Sequence, residues 1–280
     1  MINSTLVKKL FNRNAAKLAG LDFILQELAS RMISRLDYIK VTPGRVLDCG
    51  SGLGIDAALL QKKYPDALIY QLDIAINLLR LQLQPKSGWL QKVFGNRSNP
   101  KVICANAAEL PITNGGIDFF YSNMLLPYLG DIVPFVKEMR RVLSIGGAFC
   151  IAGLGVDSFK ELRELGLSTY NFPDMHDIGD ILAAAGFTNP VVDTEYITLE
   201  YEHLKTVFQD IKLVGCGSAH NSIKLPGKNL WHKINQLSDQ PSKLTLEVFV
   251  AHGWKDRERI DLPDGVSGVN FLPKTKRDDQ

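Results

Sequence analysis

The chain has 280 residues, 45% of them hydrophobic, and a formal net charge of +2. That length and apolar content suit one large domain with a full core and an elaborated lid, and the near-balanced charge excludes a global electrostatic footprint for nucleic acid. Lys8, Lys9, Arg13 and Lys17 interrupt any apolar leader, and no stretch approaches the ~18 apolar residues of a membrane helix, so the expectation is a soluble cytoplasmic protein without a membrane or nucleic-acid partner.

In chain order, residues 4–39 are predicted helical, with Leu18, Leu21, Leu25, Leu28, Met32 and Leu36 at helical spacing. Thr42-Pro43-Gly44 turns the chain into a first strand from Arg45, and a helix follows from Ile55 to Lys63. A second strand, from about Ala67 to Leu72, ends at Asp73, and a helix covers about Ile76 to Leu83. Residues 84–100 read as an irregular loop with Trp89 and Phe94 tucked onto the body. Lys101–Ala105 and Ile117–Tyr121 are the next strands. Asp131–Leu143 is a helix N-capped by Asp131 and closed by Gly146-Gly147. A fifth strand is Ala148–Ala152. Asp157 is expected to cap a helix up to Leu165, and Asp177–Ala185 forms another that Gly186 closes. Strands at Val191–Leu199 and Leu244–Ala251 flank a helix from about Tyr201 to Val214. Alternating strands and helices predict an α/β fold with a mostly parallel sheet and helices on both faces. The four cysteines (Cys49, Cys104, Cys150, Cys216) form no Cys-x-x-Cys pair and no cluster with histidines, which favours small buried hydrophobes over metal ligands or disulfides.

Chemistry enters at Asp48-Cys49-Gly50-Ser51-Gly52-Leu53-Gly54, between the first strand and its helix. Glycines there let backbone approach a ligand and offer N–H donors at a helix N-terminus. The dinucleotide fingerprint needs a third glycine three positions after the second, where this chain has Ile55. The run instead resembles the Asp/Glu-x-Gly-x-Gly-x-Gly loop of class I S-adenosylmethionine (SAM) methyltransferases. That resemblance implies a Rossmann-like fold with a seven-stranded, mostly parallel sheet and a helical lid, two late strands forming an antiparallel edge. It also implies that the loop backbone lies against the methionine part of SAM, with S-adenosylhomocysteine as product. Asp73, ending the second strand with Ile74 beside it, is placed to accept the ribose hydroxyls. Ala105-Asn106-Ala107-Ala108-Glu109-Leu110-Pro111 resembles the family's Asp-Ala-x-x-Leu-Pro motif at the adenine, with neutral Asn106 in place of the acid. Ser122-Asn123 ends the fourth strand on the same crevice. The expected donor site is therefore Asp48, Cys49, Gly50, Gly52, Asp73, Ile74, Asn106, Ala107, Ser122 and Asn123, with no metal.

The acceptor has to be read outside the sheet. Phe172-Pro173-Asp174-Met175-His176-Asp177-Ile178-Gly179-Asp180, Gly155–Arg163, Glu195–Tyr201, Phe11–Ala16 and Glu247–Trp254 together resemble the malonyl-[acyl-carrier protein] O-methyltransferases of biotin synthesis. This resemblance implies methyl transfer to the free carboxylate of a malonyl thioester, on the carrier protein or on coenzyme A, early in pimeloyl formation. Candidates for orienting that carboxylate are Tyr128, Arg163, His176, Lys212 and Asn221. Lys8, Lys9, Arg13 and Lys17, or Lys86, Lys92, Arg97 and Lys101, are candidate steering charges for an acidic carrier. The organisation expected is a helical cap at 1–40, a methyltransferase domain at 41–255 with lid elements at about 155–180 and 200–243, and a loose tail at 256–280. Two other readings stay open: a methyltransferase with another small acceptor, and a catalytically weak, methyltransferase-like binding or assembly protein. Asn106, and Lys17-Leu18-Ala19-Gly20 where the family's N-terminal helix has a tyrosine, are the departures that keep the last one open.

Overall fold

The computed structural model describes residues 2–18, 22–84, 101–166, 172–213 and 239–256. Trp89, Phe94, Lys86, Lys92, Arg97, Cys216, Asn221 and the tail from residue 257 lie outside the described residues, as does the side chain of Lys212.

The strands are β1 (Arg45–Cys49), β2 (Leu68–Asp73), β3 (Lys101–Cys104), β4 (Ile117–Asn123), β5 (Leu143–Leu154), β6 (Thr188–Tyr201) and β7 (Ser242–Lys255). They form one sheet in the order β3-β2-β1-β4-β5-β7-β6. The first five run parallel, and β7 lies antiparallel to both β5 and β6. Strand order reverses between β1 and β4, and such a switch point opens a crevice at the carboxyl ends of the strands.

The helices are α1 (Ser4–Leu18), α2 (Asp22–Arg35), α3 (Ile55–Lys63), α4 (Ile76–Gln82), α5 (Ile132–Val142), α6 (Lys160–Glu164), α7 (Met175–Ala184) and α8 (Leu204–Leu213). Central strands are apolar on both faces because helices cover both. In β4, Phe119 and Tyr121 join Met32 of α2 and Leu60 of α3 on one side. Phe120 points the other way, to Phe135 and Met139 of α5 and Leu182 of α7. All three aromatic residues are fully buried, which contributes roughly 1.5–3 kcal/mol each. A third cluster joins Phe159 and Leu162 around α6 to Leu204 and Val207 of α8 and Leu246 of β7, at the end of the sheet nearest the crevice. A fourth packs Ala15 and Leu18 of α1 on Ala75 and Leu78 beside α4.

Four local expectations change. The predicted helix 4–39 is two helices, α1 and α2, followed by a 3₁₀ turn at Leu36–Tyr38. Asp131 does cap α5, accepting the Val133 N–H at 2.9 Å. Gly146-Gly147 do not close that helix, because Leu143 already turns extended (ψ 136°) and starts β5. Gly147 is small for another reason: a Cβ there would lie 2.9 Å from the Ser144 carbonyl oxygen and 3.0 Å from that of Asp118. Asp157 caps nothing; its carboxylate accepts the Tyr196 hydroxyl at 3.1 Å, and α6 starts after Phe159 at φ 63°. Asp177 lies inside α7, whose cap is Asp174, accepting the His176 N–H at 2.8 Å. No helix among the described residues is long and apolar enough to cross a membrane.

Candidate active site

A cavity of about 360 Å³ lies over the carboxyl ends of β1 to β4, within the size range of small-molecule sites. Gly50, Gly52, Asp73, Ile74, Asn106, Ala107 and Asn123 line its sheet side. Val7, Phe11 and Leu18 of α1 and Tyr128 form its roof. Phe11 meets the Tyr128 ring edge-on, with centroids 4.9 Å apart at 83°, so the cap helix is attached to the turn after β4 through an aromatic pair. A smaller apolar cavity of about 110 Å³ continues past Tyr128 and Met124 toward Leu199, Tyr201 and Asp210. The Tyr201 hydroxyl bonds the Asp210 carboxylate, and burial with this acid beside it pushes Tyr201 up to about 12. Met124, shared by the two cavities, sits at φ 57°, a left-handed conformation that side chains rarely adopt and that tends to occur at functional sites.

The glycine loop is held by its own N–H groups. Gly50 and Ser51 donate to the Leu72 carbonyl at 2.7 and 3.0 Å, and Gly54 to that of Ser51 at 2.8 Å. The Gly52 N–H donates to Asp73 at 3.0 Å. These four amides are therefore not the bare donors expected of the loop. Their work is to fold it tightly, at φ 82°, 52° and 78° for Gly50, Gly52 and Gly54. A Cβ on Gly54 would lie 2.8 Å from Gln71 Oε1. A Cβ on Gly52 would meet only the Gly50 oxygen, at 3.9 Å, so that glycine presents backbone to open space.

Asp73 accepts Gly52 N–H on one oxygen and Ala75 N–H on the other at 2.8 Å, and each oxygen keeps a lone pair. Burial raises its carboxyl above the ordinary range, against those N–H bonds. Asn106 Oδ1 accepts the Ala108 N–H at 3.1 Å, one of the two bonds its carbonyl can take. Asp48, Cys49 and Ser122 are buried behind this wall and do not line the cavity. The Ser122 hydroxyl donates to the Cys49 carbonyl at 2.7 Å, joining β4 to β1 at the switch point. Burial drives the Asp48 carboxyl well up, and the neighbouring Asp56 and Asp73 charges add to it.

A family description for a methyltransferase domain matches residues 47–151, the part of the chain carrying these strand ends. A malonyl-[acyl-carrier protein] O-methyltransferase of Gallionella capsiferriformans is 36% identical over 99% of both chains. One from Laribacter hongkongensis is 37% identical over 95% of both. The chain belongs to the malonyl-[acyl-carrier protein] O-methyltransferase family. A phosphoethanolamine N-methyltransferase 2 of Haemonchus contortus, solved with S-adenosyl-L-methionine, superposes with a TM-score of 0.52 at 16% identity, covering 81% of this chain and 53% of that one. The fold is that of the class I SAM-dependent methyltransferases.

In this methyltransferase the five acceptor candidates fare differently. Tyr128 lines both cavities. Arg163 donates to the Ser158 carbonyl at 2.7 Å and lines neither. His176 is exposed in the first turn of α7, whose Ile178 and Leu182 pack on the sheet face, so it too lies away from both cavities. The side chain of Lys212 and the whole of Asn221 fall outside what is described.

The sequence reading missed the network that shapes the loop. Asp56 accepts the Tyr121 hydroxyl at 2.5 Å and Asn123 Nδ2 at 3.0 Å. Gln82 donates to the Gly52 carbonyl at 2.7 Å and to Ser51 Oγ at 3.1 Å. Asp56 had a faint signal, an acid in the first turn of a helix; Gln82 had none. One buried oxygen on each of Asp48, Gln82 and Asn123 has no hydrogen-bond partner among the described residues. Of the three residues only Asn123 lines the cavity, so its oxygen is the one placed to accept from an N–H donor of a ligand.

Proposed function

We propose that this chain transfers the methyl group of SAM to the free carboxylate of a malonyl thioester, on acyl carrier protein or on coenzyme A. The product, a methyl ester, would serve an early step of biotin synthesis. The observation that carries this reading is identity of 36–37% across 95–99% of the chain. It spans the cap and lid as well as the sheet, and those segments are where acceptor choice resides.

The donor side fits SAM on its own chemistry. Gly52 leaves room beside the backbone, Asp73 retains acceptor capacity for a diol, and the Asn106-Ala107 turn closes the far end. Asp48, Cys49 and Ser122 would act by bracing that wall. When bound, SAM supplies an electrophilic methyl on a sulfonium sulfur. The chain's residues have no proton to remove, because a carboxylate is ionised at neutral pH. Their tasks are alignment and exclusion of water. The apolar roof of Val7, Phe11 and Leu18, with Tyr128 and Met124, suits the second task.

The test is to incubate the purified chain with SAM and malonyl carrier protein and look for the gain of one methyl by mass spectrometry, with succinyl and unacylated carriers as controls. Normal SAM binding without methylation of the malonyl carrier would sink the acceptor assignment.

A further inference from the structure

Charge is segregated along this chain and gathered by the fold. Residues 1–21 and 74–108, one-fifth of the sequence, hold nine of the 32 lysines and arginines and none of the 30 aspartates and glutamates. The remaining residues carry 23 cations against 30 acids, net −7. Among the described residues the fold brings α1 of the first segment onto α4 of the second, since Ala15 and Leu18 pack on Leu78. Asn12 accepts the Asn77 N–H at 2.8 Å and, through its carbonyl, Asn77 Nδ2 at 3.0 Å. Arg80 Nη1 in turn donates to Asn77 Oδ1 at 3.4 Å.

The two sides of α1 differ. Val7, Leu10, Ala15 and Leu18 are buried, and Val7, Phe11 and Leu18 line the cavity. Lys9, Arg13 and Lys17 recur every fourth residue on the outer side, Lys8 flanks them, and all four are exposed, as is Arg80. Like charges at this spacing repel, and no acid on α1 or α4 offsets them. The stripe therefore contributes nothing to folding. Leu6, also exposed, adds an apolar contact to it.

We propose that the outer face of α1, with Arg80 of α4, is the docking surface for an acidic carrier protein that presents the acyl thioester. The proposal rests on the carrier-bound acceptor assigned above. Charge complementarity selects the occupant: a cationic face on a chain that is otherwise net acidic attracts an acidic partner and disfavours the wrong orientation. The place is suitable because the helix that would hold the carrier is also the roof of the cavity. A carrier docked there lies about one helix diameter (~10 Å) from the reaction space, close enough for a substrate on a tethered arm.

The experiment uses the full chain and the variant Lys9→Glu/Arg13→Glu/Lys17→Glu, with Arg80→Glu as an independent second variant. Each is assayed with malonyl carrier protein and with malonyl-pantetheine, which lacks the carrier. The expected result is a loss of about tenfold to a hundredfold in kcat/KM for the carrier substrate. Activity on malonyl-pantetheine, SAM affinity and Tm should stay within about twofold or a few degrees of the parent. Raising salt from low to physiological strength should slow the parent on the carrier and leave the triple variant nearly unaffected. Equal loss on both substrates, or none on either, overturns the surface. So does charge-reversal loss of binding to anionic vesicles or to nucleic acid while carrier kinetics are unchanged. A parent chain that methylates neither substrate overturns the acceptor reading itself and removes the basis of this one.

Discussion

The sheet side of the cavity is held by hydrogen bonds to buried acids and amides, whereas the cap and lid side closes by apolar contact. Around the glycine loop, Asp73 accepts the Gly52 and Ala75 N–H groups, Asp56 accepts two side-chain bonds from β4, and Gln82 donates two bonds to the loop. Across the cavity, Phe11 and Tyr128 meet edge-on, and Phe159 and Leu162 pack with Leu204 of α8 and Leu246 of β7. Directional bonds fix positions to within tenths of an ångström, while apolar contacts tolerate sliding and re-opening. A donor that must be held in one pose suits the first wall. An acceptor that must enter and leave on an arm suits the second.

Substitutions can break this contrast. The largest effect is expected from Asp73→Ala, which removes the acceptor for the Gly52 and Ala75 amides and for a ribose diol; SAM affinity should fall about a hundredfold or more by calorimetry. Unchanged affinity would show that the hydrogen-bonded wall is not the donor wall. Gly54→Ala follows, because φ 78° and the Gln71 contact both oppose a Cβ. It should cost about 2 kcal/mol of unfolding free energy in a denaturant titration. On the other wall, Phe11→Ala should lower stability by about 1–2 kcal/mol. It should reduce turnover more than it changes SAM affinity, and an equal effect on both would erase the division of labour.

The smallest effects concern pH, and the two regions should respond with opposite sign. Burial raises the Asp48 carboxyl, so its contribution to stability is full below its unfolded value near 3.8 and is lost as pH rises toward the raised folded value. Asp48→Asn should therefore be more stable than the parent by a few degrees at neutral pH, with the difference vanishing near pH 4. Glu161, under the lid, accepts both the backbone N–H at 2.9 Å and the hydroxyl of Thr245, and those bonds hold its carboxyl below the usual 4.5 in spite of partial burial. Its contribution is present above that value and is lost as pH falls through the lowered one. Glu161→Gln should cost less than about 1 kcal/mol at neutral pH, given solvent screening, and nothing in acid. Thermal melts of both variants between pH 4 and 8 check the crossing trends.

The strands, the α/β order and the cavity-lining residues Gly50, Gly52, Asp73, Asn106 and Asn123 were legible in the linear chain. Their signals are local: an apolar run, a turn, then a short polar group at a strand end. Helix boundaries were less legible. The helix expected from Asp177 starts at Met175 with Asp174 as its cap, and Asp157, expected to cap α6, turns to Tyr196 on a distant strand. Arg163 and His176, plausible by motif, lie away from both cavities because the Arg163 side chain turns to the Ser158 carbonyl and α7 lies on the sheet.

Sequence alone determined which segments become strands and that a glycine loop after β1 is followed by an acid at the end of β2, because those features depend on neighbours a few residues apart. Only the tertiary structure decided that the loop amides are consumed by Leu72 and Asp73, that Asp56 joins Tyr121 and Asn123, and that α1 packs on α4. Those pairings join residues 21 to 67 positions apart, and no periodicity or motif encodes a contact until the sheet has brought its strand ends together.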